Sequence, residues 1–474
     1  MVPPRVCVRI WADGTKGEAL GVASRTGGRA RHSEGFMKLD RAPAVTGVIM
    51  SDISSLVKEL AGQVSESSGA VLEAAEDELR VMLRRWAGLV LGMVAESLRE
   101  EVESEVHCRC GERGRYKGEQ ERQQETLVGP FRYRRGYWYC HRCGKGWYPM
   151  DEALGVGVGQ FSSKLELAMS LLGVGFAYRS AAEALDTLVG ARVSASSVER
   201  VVKRRGTALD AHYRAVEARL LRGEEGALGA GPAASGEKGA WVVELDAANA
   251  LFRDGWHEVK VGVVCLADSP EAPSREWPVY VARVRDMDGA GERLYAEAVG
   301  RGIRPERDTV VCLADGAPVN WSQFELHFPH RIEVLDYYHA VEHLWSAGKA
   351  GLGEESAKTK TWVEEQSTLL WQGEAPALIA ALEALAQRTG SEAVAREARY
   401  FRTNQERIRY HHYRQCGYPL GSGRVESACK QLVTARLKGP GMRWSDDGAQ
   451  SVLTLRCALL SQRWDHVWSL TKAA

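Results

Sequence analysis

The sequence contains no apolar run of about 18 residues, so it offers no candidate for a membrane-spanning helix. No stretch near the start joins a basic segment to an unbroken apolar core, so a secretory signal peptide is not expected. Net charge is absent too: 62 Lys and Arg offset 62 Asp and Glu, and any attraction to a polyanion must be local. There is no His-Glu-x-x-His, which removes the metalloprotease type of zinc site. Cysteines are few for the length, ten in 474 residues, and four of them cluster at 108, 110, 140 and 143. Clustered cysteines in a reducing cytosol point to metal binding rather than disulfides.

What is present suffices for several cores. At 45% hydrophobic and 26% charged, a chain of this length predicts roughly two to four domains. Residues 1–48, rich in Gly, Arg, Ala and Pro without a period, read as a loosely ordered segment. Within residues 49–106, Leu79, Met82, Leu83, Trp86 and Val90 recur at helical spacing and predict an amphipathic packing or dimerising helix.

Residues 107–150 carry ten Lys and Arg against four Asp and Glu, and "FRYRRGYWYC" alternates like a strand. Cys140-x-x-Cys143 has the spacing of a zinc knuckle, and Cys108 and Cys110 supply a second turn about 30 residues upstream. The expected ligands of a structural Zn²⁺ are Cys110, Cys140 and Cys143 with Cys108. His107 is the alternative fourth ligand, because His107-x-x-Cys110 restores the usual spacing. Tyr137 and Trp138 suit either DNA contact or the ribbon's own small core.

Residues 151–222 read as several short helices ending in a helix-turn-helix-like pair. Ser194 or Ser196 is placed to cap the second helix. Val198, Val201 and Val202 should pack inward, leaving Ser197, Arg200, Lys203 and Arg204 exposed for DNA. Residues 223–240 have linker composition. Strand-like runs come next, "WVVELDA", "VKVGVVCLA", "VYVARVRD", "DTVVCLADG" and "RIEVLD", with helices around "GERLYAEAVGRG" and "NWSQFELHF". Residues 340–412 read entirely as helix, with Trp362 and Trp371 as packing residues.

Asp246 ends one apolar strand, Asp315 ends another, and Glu426 lies on a helix opened by "GSG". A strand-end Asp alone is usually a turn former or cap. Two strand ends and a helix can instead converge three carboxylates on a hard divalent ion such as Mg²⁺ or Mn²⁺, suited to in-line attack on a phosphodiester. Glu244, Asp254, Asp268 and Asp336 are rival acids, Glu244 sharing a strand face with Asp246. Around Glu426 the charge is basic, with nine Lys and Arg against two acids over residues 401–443. Lys430, Arg436, Lys438, Arg443 and Trp444 are the expected DNA contacts there. Glu426, Cys429, Lys430 and Val433 should share one helix face.

"LADGAPVNW", "LDYYHAVEHLW", "GSGRVESACKQL" and "RLKGPGMRW" resemble the catalytic region of bacterial insertion-sequence transposases of the ISKra type, over roughly residues 100–470. The resemblance implies a ribonuclease H-like DDE core. Asp246, Asp315 and Glu426 would be its triad, interrupted before the Glu by an all-α insertion. Ala247 follows Asp246 where Gly316 follows Asp315. Asp336-x-x-His339 is similar to a motif of Mutator-like transposases and suggests an auxiliary role for both residues. The alternative for Asp336 is a simple N-cap.

The expected architecture is therefore multidomain. A zinc ribbon and a helix-turn-helix region precede an α/β ribonuclease H-like catalytic domain, residues 241–339 and 413–474, split by the helical insertion 340–412. The expected function is Mg²⁺-dependent cleavage and transfer of DNA ends by a homo-oligomer in the bacterial cytoplasm, associated with the nucleoid. A zinc-ribbon DNA-binding regulator without chemistry, and a nuclease without strand transfer, remain alternatives.

Overall fold

The computed structural model describes residues 46–55, 57–58, 71–157, 159–224, 240–267, 277–354 and 356–471. The expected N-terminal segment to residue 45, most of the linker (225–239) and the rival acid Asp268 lie outside them. The described chain is mixed α/β, with one three-stranded and one five-stranded sheet.

Helix α1, Val71–Ser104, is built of Ala, Leu, Glu and Arg, all strong helix formers. It lies along the hairpin of β1 (Arg115–Thr126) and β2 (Gly129–Cys140), with β3 (Lys145–Trp147) completing the small sheet. Thr126 closes the hairpin turn: its Oγ1 donates to the Gly129 carbonyl at 2.6 Å and accepts from the Val128 and Gly129 N–H groups. Ala95, Phe131, Tyr133 and Met150 form a core of their own beneath α1. Leu79, Leu83 and Val90 of the amphipathic stretch remain exposed.

A short helix α2 (Pro149–Ala153) leads to α3 (Ser163–Gly175), α4 (Tyr178–Val189) and α5 (Ala195–Leu221). The expected run of short helices thus ends in one of 27 residues. Ser194 caps α5, its Oγ accepting from the Ser197 N–H at 3.1 Å.

The five-stranded sheet has the order β6-β5-β4-β7-β8. β4 (Trp241–Phe252), β5 (Gly255–Leu266) and β6 (Val279–Val284) are antiparallel neighbours, while β7 (Val310–Ala314) and β8 (Arg331–Leu335) continue it in parallel from β4. β7 reads Val-Val-Cys-Leu-Ala and is buried throughout, as expected for a parallel strand covered on both faces. Helices α6 (Met287–Gly300) and α7 (Pro318–His327) make the crossovers. From β8 the chain runs through α8 (Tyr337–Leu352), α9 (Ala357–Gln372), α10 (Ala375–Thr389), α11 (Glu392–Thr403) and α12 (Tyr410–Gln415), so the segment 340–412 is helical as expected. Trp362 packs against the core, whereas Trp371 is half-exposed with the Arg414 guanidinium stacked 3.9 Å from its ring. Among the described residues, no helix is long and apolar enough to cross a membrane.

Helix α13 runs Gly423–Ala428, widens into a π-helical turn at Cys429–Thr434 and closes at Ala435–Leu437. Helices α14 (Asp446–Leu460) and α15 (Trp464–Thr471) end the chain's regular structure. α14 protects the sheet edge. Gln450 accepts from the Val284 N–H and donates to the Ala282 carbonyl, and Ser461 accepts from Tyr280. This satisfies backbone groups that an open edge would leave bare.

The helical region 151–222 is joined to the sheet by buried charge. Arg283 of β6 meets Asp210 and Glu217 of α5 at 2.5 and 2.7 Å; Arg293 bridges Glu217 and Glu297; Arg463 binds Glu297 at 2.7 Å. Removing one member would strand a buried partner, a loss of about 3–5 kcal/mol. Gly206 sets the closest approach of α5 to α14: a Cβ there would lie 2.3 Å from the Ser451 carbonyl oxygen. Gly206→Ala should therefore destabilise the chain by about 1–3 kcal/mol through overpacking, measured as a lower urea midpoint with an unchanged m-value.

Candidate active site

Strand register places three aspartates on one level. β4 and β7 pair in parallel with Glu244 beside Leu313, a difference of 69 in residue number, and Asp246 and Asp315 differ by the same 69. β7 and β8 pair with Ala314 beside Leu335, a difference of 21, and Asp315 and Asp336 again match it. Asp246, Asp315 and Asp336 thus stand side by side just past the segments in which these three strands pair in parallel, but Asp246 does not end its strand as expected: it lies in the middle of β4, paired with Val261 of β5. In open α/β sheets this end is where functional groups collect.

Each aspartate has a different environment. Burial holds the Asp246 carboxyl above its ordinary range; the Ala247 N–H opposes the shift and the Asp315 charge adds to it. Its Oδ1 accepts from Ala247 at 2.7 Å, and the Cys429 thiol lies 3.7 Å from Oδ2. Asp315 is oriented by two bonds to Oδ1, from the Ala317 N–H at 3.0 Å and Asn320 Nδ2 at 2.9 Å. Asp336 is 2% exposed and uses both oxygens on backbone: the His339 N–H at 2.6 Å, capping α8, and the Ser422 N–H at 2.5 Å.

That last bond reaches the helix of the third carboxylate. Ser422 precedes α13 without capping it through its own side chain. The helix start is instead satisfied from the sheet, by Asp336 on Ser422 and by Glu244 Oε2 accepting from the Val425 N–H at 2.7 Å. Glu244, only 1% exposed, is pushed up to about 7 by burial, with the Val425 N–H and the Arg424 charge opposing and Asp336 and Glu426 adding. Glu244 is therefore a tie to α13 rather than a substitute for Asp246. Glu426, one residue on from Val425, is half-exposed, with Lys430 Nζ 3.8 Å from its carboxylate.

The π-helical turn corrects one expectation. Glu426 and Lys430 share an exposed face as expected, but Cys429 and Val433 leave it: both are buried, Cys429 turned to Asp246. An extra residue in the turn rotates the later part of the helix relative to Glu426.

His339 stands beside the row, close enough for its charge to act on Asp246, and its Nδ1 is 3.5 Å from Glu342. A further set of residues escaped the sequence reading. Tyr400 donates to the Asp315 carbonyl at 2.9 Å and stacks on His343 with centroids 3.8 Å apart; His343 Nδ1 is 2.6 Å from Glu397. Tyr400 also explains Gly316. At φ 96°, a Cβ on Gly316 would sit 2.6 Å from the tyrosine oxygen, so glycine is required on both counts. "ADG" signalled the glycine, but nothing local pointed to Tyr400, 85 residues away.

The four cysteines form a second centre. The sulfurs of Cys108, Cys110, Cys140 and Cys143 lie within 4.8 Å of one another, placed to hold a metal ion such as zinc. Cys108 stands in this set and His107 does not; His107 pairs instead with Arg113 in a backbone bridge. The Cys143 N–H donates to Cys140 Sγ at 3.4 Å, and the Glu112 N–H leads in lowering Cys110 to about 7. Each N–H favours the thiolate on the sulfur it faces, while the neighbouring sulfurs Cys110 and Cys108 push Cys143 up to about 12. Among the described residues, no other His, Cys, Asp or Glu side chains are gathered this closely in threes, and Asp246, Asp315 and Glu426 stand further apart. Trp138 packs edge-on to Tyr116 and Tyr137 against Tyr148, inside the ribbon.

Of the expected DNA contacts, Arg200, Lys203, Lys430, Lys438 and Arg443 are exposed. Val198, Val201 and Val202 pack inward and Arg204 is exposed as expected, though ion-paired with Glu166 at 2.5 Å, but Ser197 is buried. Arg436 and Trp444 are not surface contacts. Arg436 donates twice to the Gly173 carbonyl, and Trp444 is 8% exposed with Nε1 on the Leu437 carbonyl.

No protein-family model matches the chain, and no curated protein is similar to it.

Two outcomes test this geometry. Elemental analysis should find zinc in the purified protein and in His107→Ala, and should find it lost in Cys108→Ser and Cys140→Ser. Asp336→Ala should cost about 2–5 kcal/mol in urea denaturation, since two buried N–H groups lose their acceptor, with Asp336→Asn falling between it and the parent.

Proposed function

We propose that the chain is a DNA transposase of the DDE type, with Asp246, Asp315 and Glu426 as its carboxylates. The observation that carries this reading is the register. It sets Asp246 and Asp315 level on adjacent parallel strands, and the helix of Glu426 is tied to the same part of the sheet by Glu244 and Asp336. A ribonuclease H-like core is supported by the five-stranded sheet, three antiparallel strands extended by two parallel ones through helical crossovers.

The donor set fits a hard divalent cation, being all oxygen and split between the middle of β4, the end of β7 and a helix. Asp246, Asp315 and Glu426 would hold Mg²⁺ or Mn²⁺, which when bound activates an attacking oxygen and neutralises the leaving one. The chain's own residues prepare that place. Asn320 and the Ala317 N–H fix the Asp315 carboxylate, leaving Oδ2 open. Tyr400 holds the backbone behind it. Glu426, on a helix tied at its start, stays half-exposed toward solvent. Lys430 and Lys438 flank it with cations suited to phosphates.

In this reading the zinc ribbon and the exposed start of α5, Arg200 and Lys203, grip the element ends. Two such ends would be brought together by a homo-oligomer on the bacterial chromosome. Water then cleaves each end, and the released 3′-hydroxyl attacks target DNA.

The test is an end-cleavage and strand-transfer assay with Mg²⁺. Outer partners of metal ligands cost about 10–100-fold when lost, so Glu426→Gln should lower cleavage by more than about 100-fold while DNA binding persists. Normal cleavage by Glu426→Gln would refute the triad. Cleavage without any joined product would mark a nuclease, and DNA binding without either would mark a regulator.

A further inference from the structure

A cavity of about 580 Å³ opens between the first turns of α5, the β4–β5 turn and the loop that joins α13 to α14. Its floor is a cation in an aromatic corner. The Arg436 guanidinium lies against both the Tyr178 and Trp444 rings, 4.8 and 4.9 Å from their centroids, in the corner where the two rings meet edge-on 6.3 Å apart. Arg436 is 2% exposed. Its Nε and Nη2 share the Gly173 carbonyl at 3.1 and 3.0 Å, and Nη1 reaches the Met442 sulfur at 3.8 Å.

Arg436 has no carboxylate partner among the described residues, unlike four other buried arginines. Arg205, Arg283, Arg293 and Arg463 are buried comparably, and each meets a buried glutamate. A buried cation without a counter-charge is unfavourable, and an anion entering the cavity relieves it. Guanidinium N–H groups not engaged by Gly173, Met442 or Tyr178 remain to receive one.

The rim adds to the attraction. Arg253 and Arg443 are exposed there and form no ion pair among the described residues. Lys203 is also on the rim, 3.7 Å from Asp447. With Glu199 the remaining acid, three rim cations face two rim acids, and Arg436 beneath them raises the excess of cations to two.

We propose that this cavity is a phosphate-binding site that takes one phosphodiester of a DNA strand, with Arg436 as its floor and Arg253 and Arg443 as its clamps. The anion specificity follows from the charges alone. Its assignment to DNA rests on the transposase reading and on position. Arg436 lies ten residues beyond Glu426 on the same helix, roughly 15 Å at the helical rise per residue. The Trp444 N–H bonds the Leu251 carbonyl on β4, the strand of Asp246. A strand whose reacting phosphate met the carboxylates would pass this site a few nucleotides away. The phosphate held here is a non-reacting one, which fixes register.

The test is binding of a fluorescent duplex by anisotropy over a series of salt concentrations without Mg²⁺. Arg253→Ala/Arg443→Ala is compared with the parent chain, because Arg436 variants risk the fold. Each phosphate contact contributes about 0.9 to the slope of log K against log salt, so the double variant should lose about one in slope and at least about tenfold in affinity. Arg253→Lys should keep most of the slope. An unchanged slope in a double variant that still binds DNA overturns the site and leaves the transposase reading standing. A second arm measures the melting temperature with inorganic phosphate. If phosphate raises it in the parent but not in the variant, and the parent binds no duplex, the DNA assignment and the transposase reading both fall.

Discussion

The position of β7 between β4 and β8 is the constraint on which the candidate site depends. In a sheet a one-residue slip turns every side chain to the other face. A slip of β7 would take Asp315 off the level shared by Asp246 and Asp336. The register is fixed by burial. All five residues of β7 are buried, so any shift would place Asp315 or its neighbours in an apolar layer. Two acids that repel each other are thus held together by the hydrophobic packing of the strand beneath them. The raised pKa of Asp246, due first to burial and then in part to Asp315, is the electrostatic expression of that enforced proximity.

The third carboxylate is positioned by a different device. A helix start leaves N–H groups unsatisfied, and side chains of its own sequence usually cap them. Here the caps come from two buried acids of the sheet, Glu244 and Asp336, more than 80 residues earlier in the chain. The positive end of the helix dipole favours such acids. One structural acid sits two residues from Asp246 and the other one strand over from Asp315. The acids that organise the site and the acids assigned to its chemistry are interleaved, which explains why spacing alone could not separate them.

Much of the architecture was legible because its signals are local. The five strands, the crossover helices, the helical segment 340–412 and the paired knuckles all lie where period, turn residues and spacing placed them. The inward valines of α5 followed from periodicity. What escaped was set by partners far away in sequence. Ser197 is buried because α3 packs across α5, and the same packing brings Glu166 to the exposed Arg204. Arg436 looked like one more cation in a basic run, yet Tyr178, Trp444 and Gly173 enclose it. The Cys108–His107 ambiguity was a question of a single turn, and only the fold of that turn could settle it.

The basic character around Glu426 is therefore two things with one composition. Lys430 and Lys438 are exposed and remain available to phosphates, with Lys430 also balancing Glu426. Arg424 and Arg436 point inward: Arg424 reaches Cys265 and acts on Glu244, and Arg436 braces the junction of α13, α4 and the following loop. A buried arginine matched by glutamate, as at Arg293 and Glu297, is a closed unit that joins elements and asks nothing of solvent. A buried arginine matched by a carbonyl, a thioether and two rings is incomplete. The chain thus uses the same residue type for both solutions. The incomplete one lies at a cavity on the helix that carries Glu426, where a polyanionic substrate would bring the missing charge.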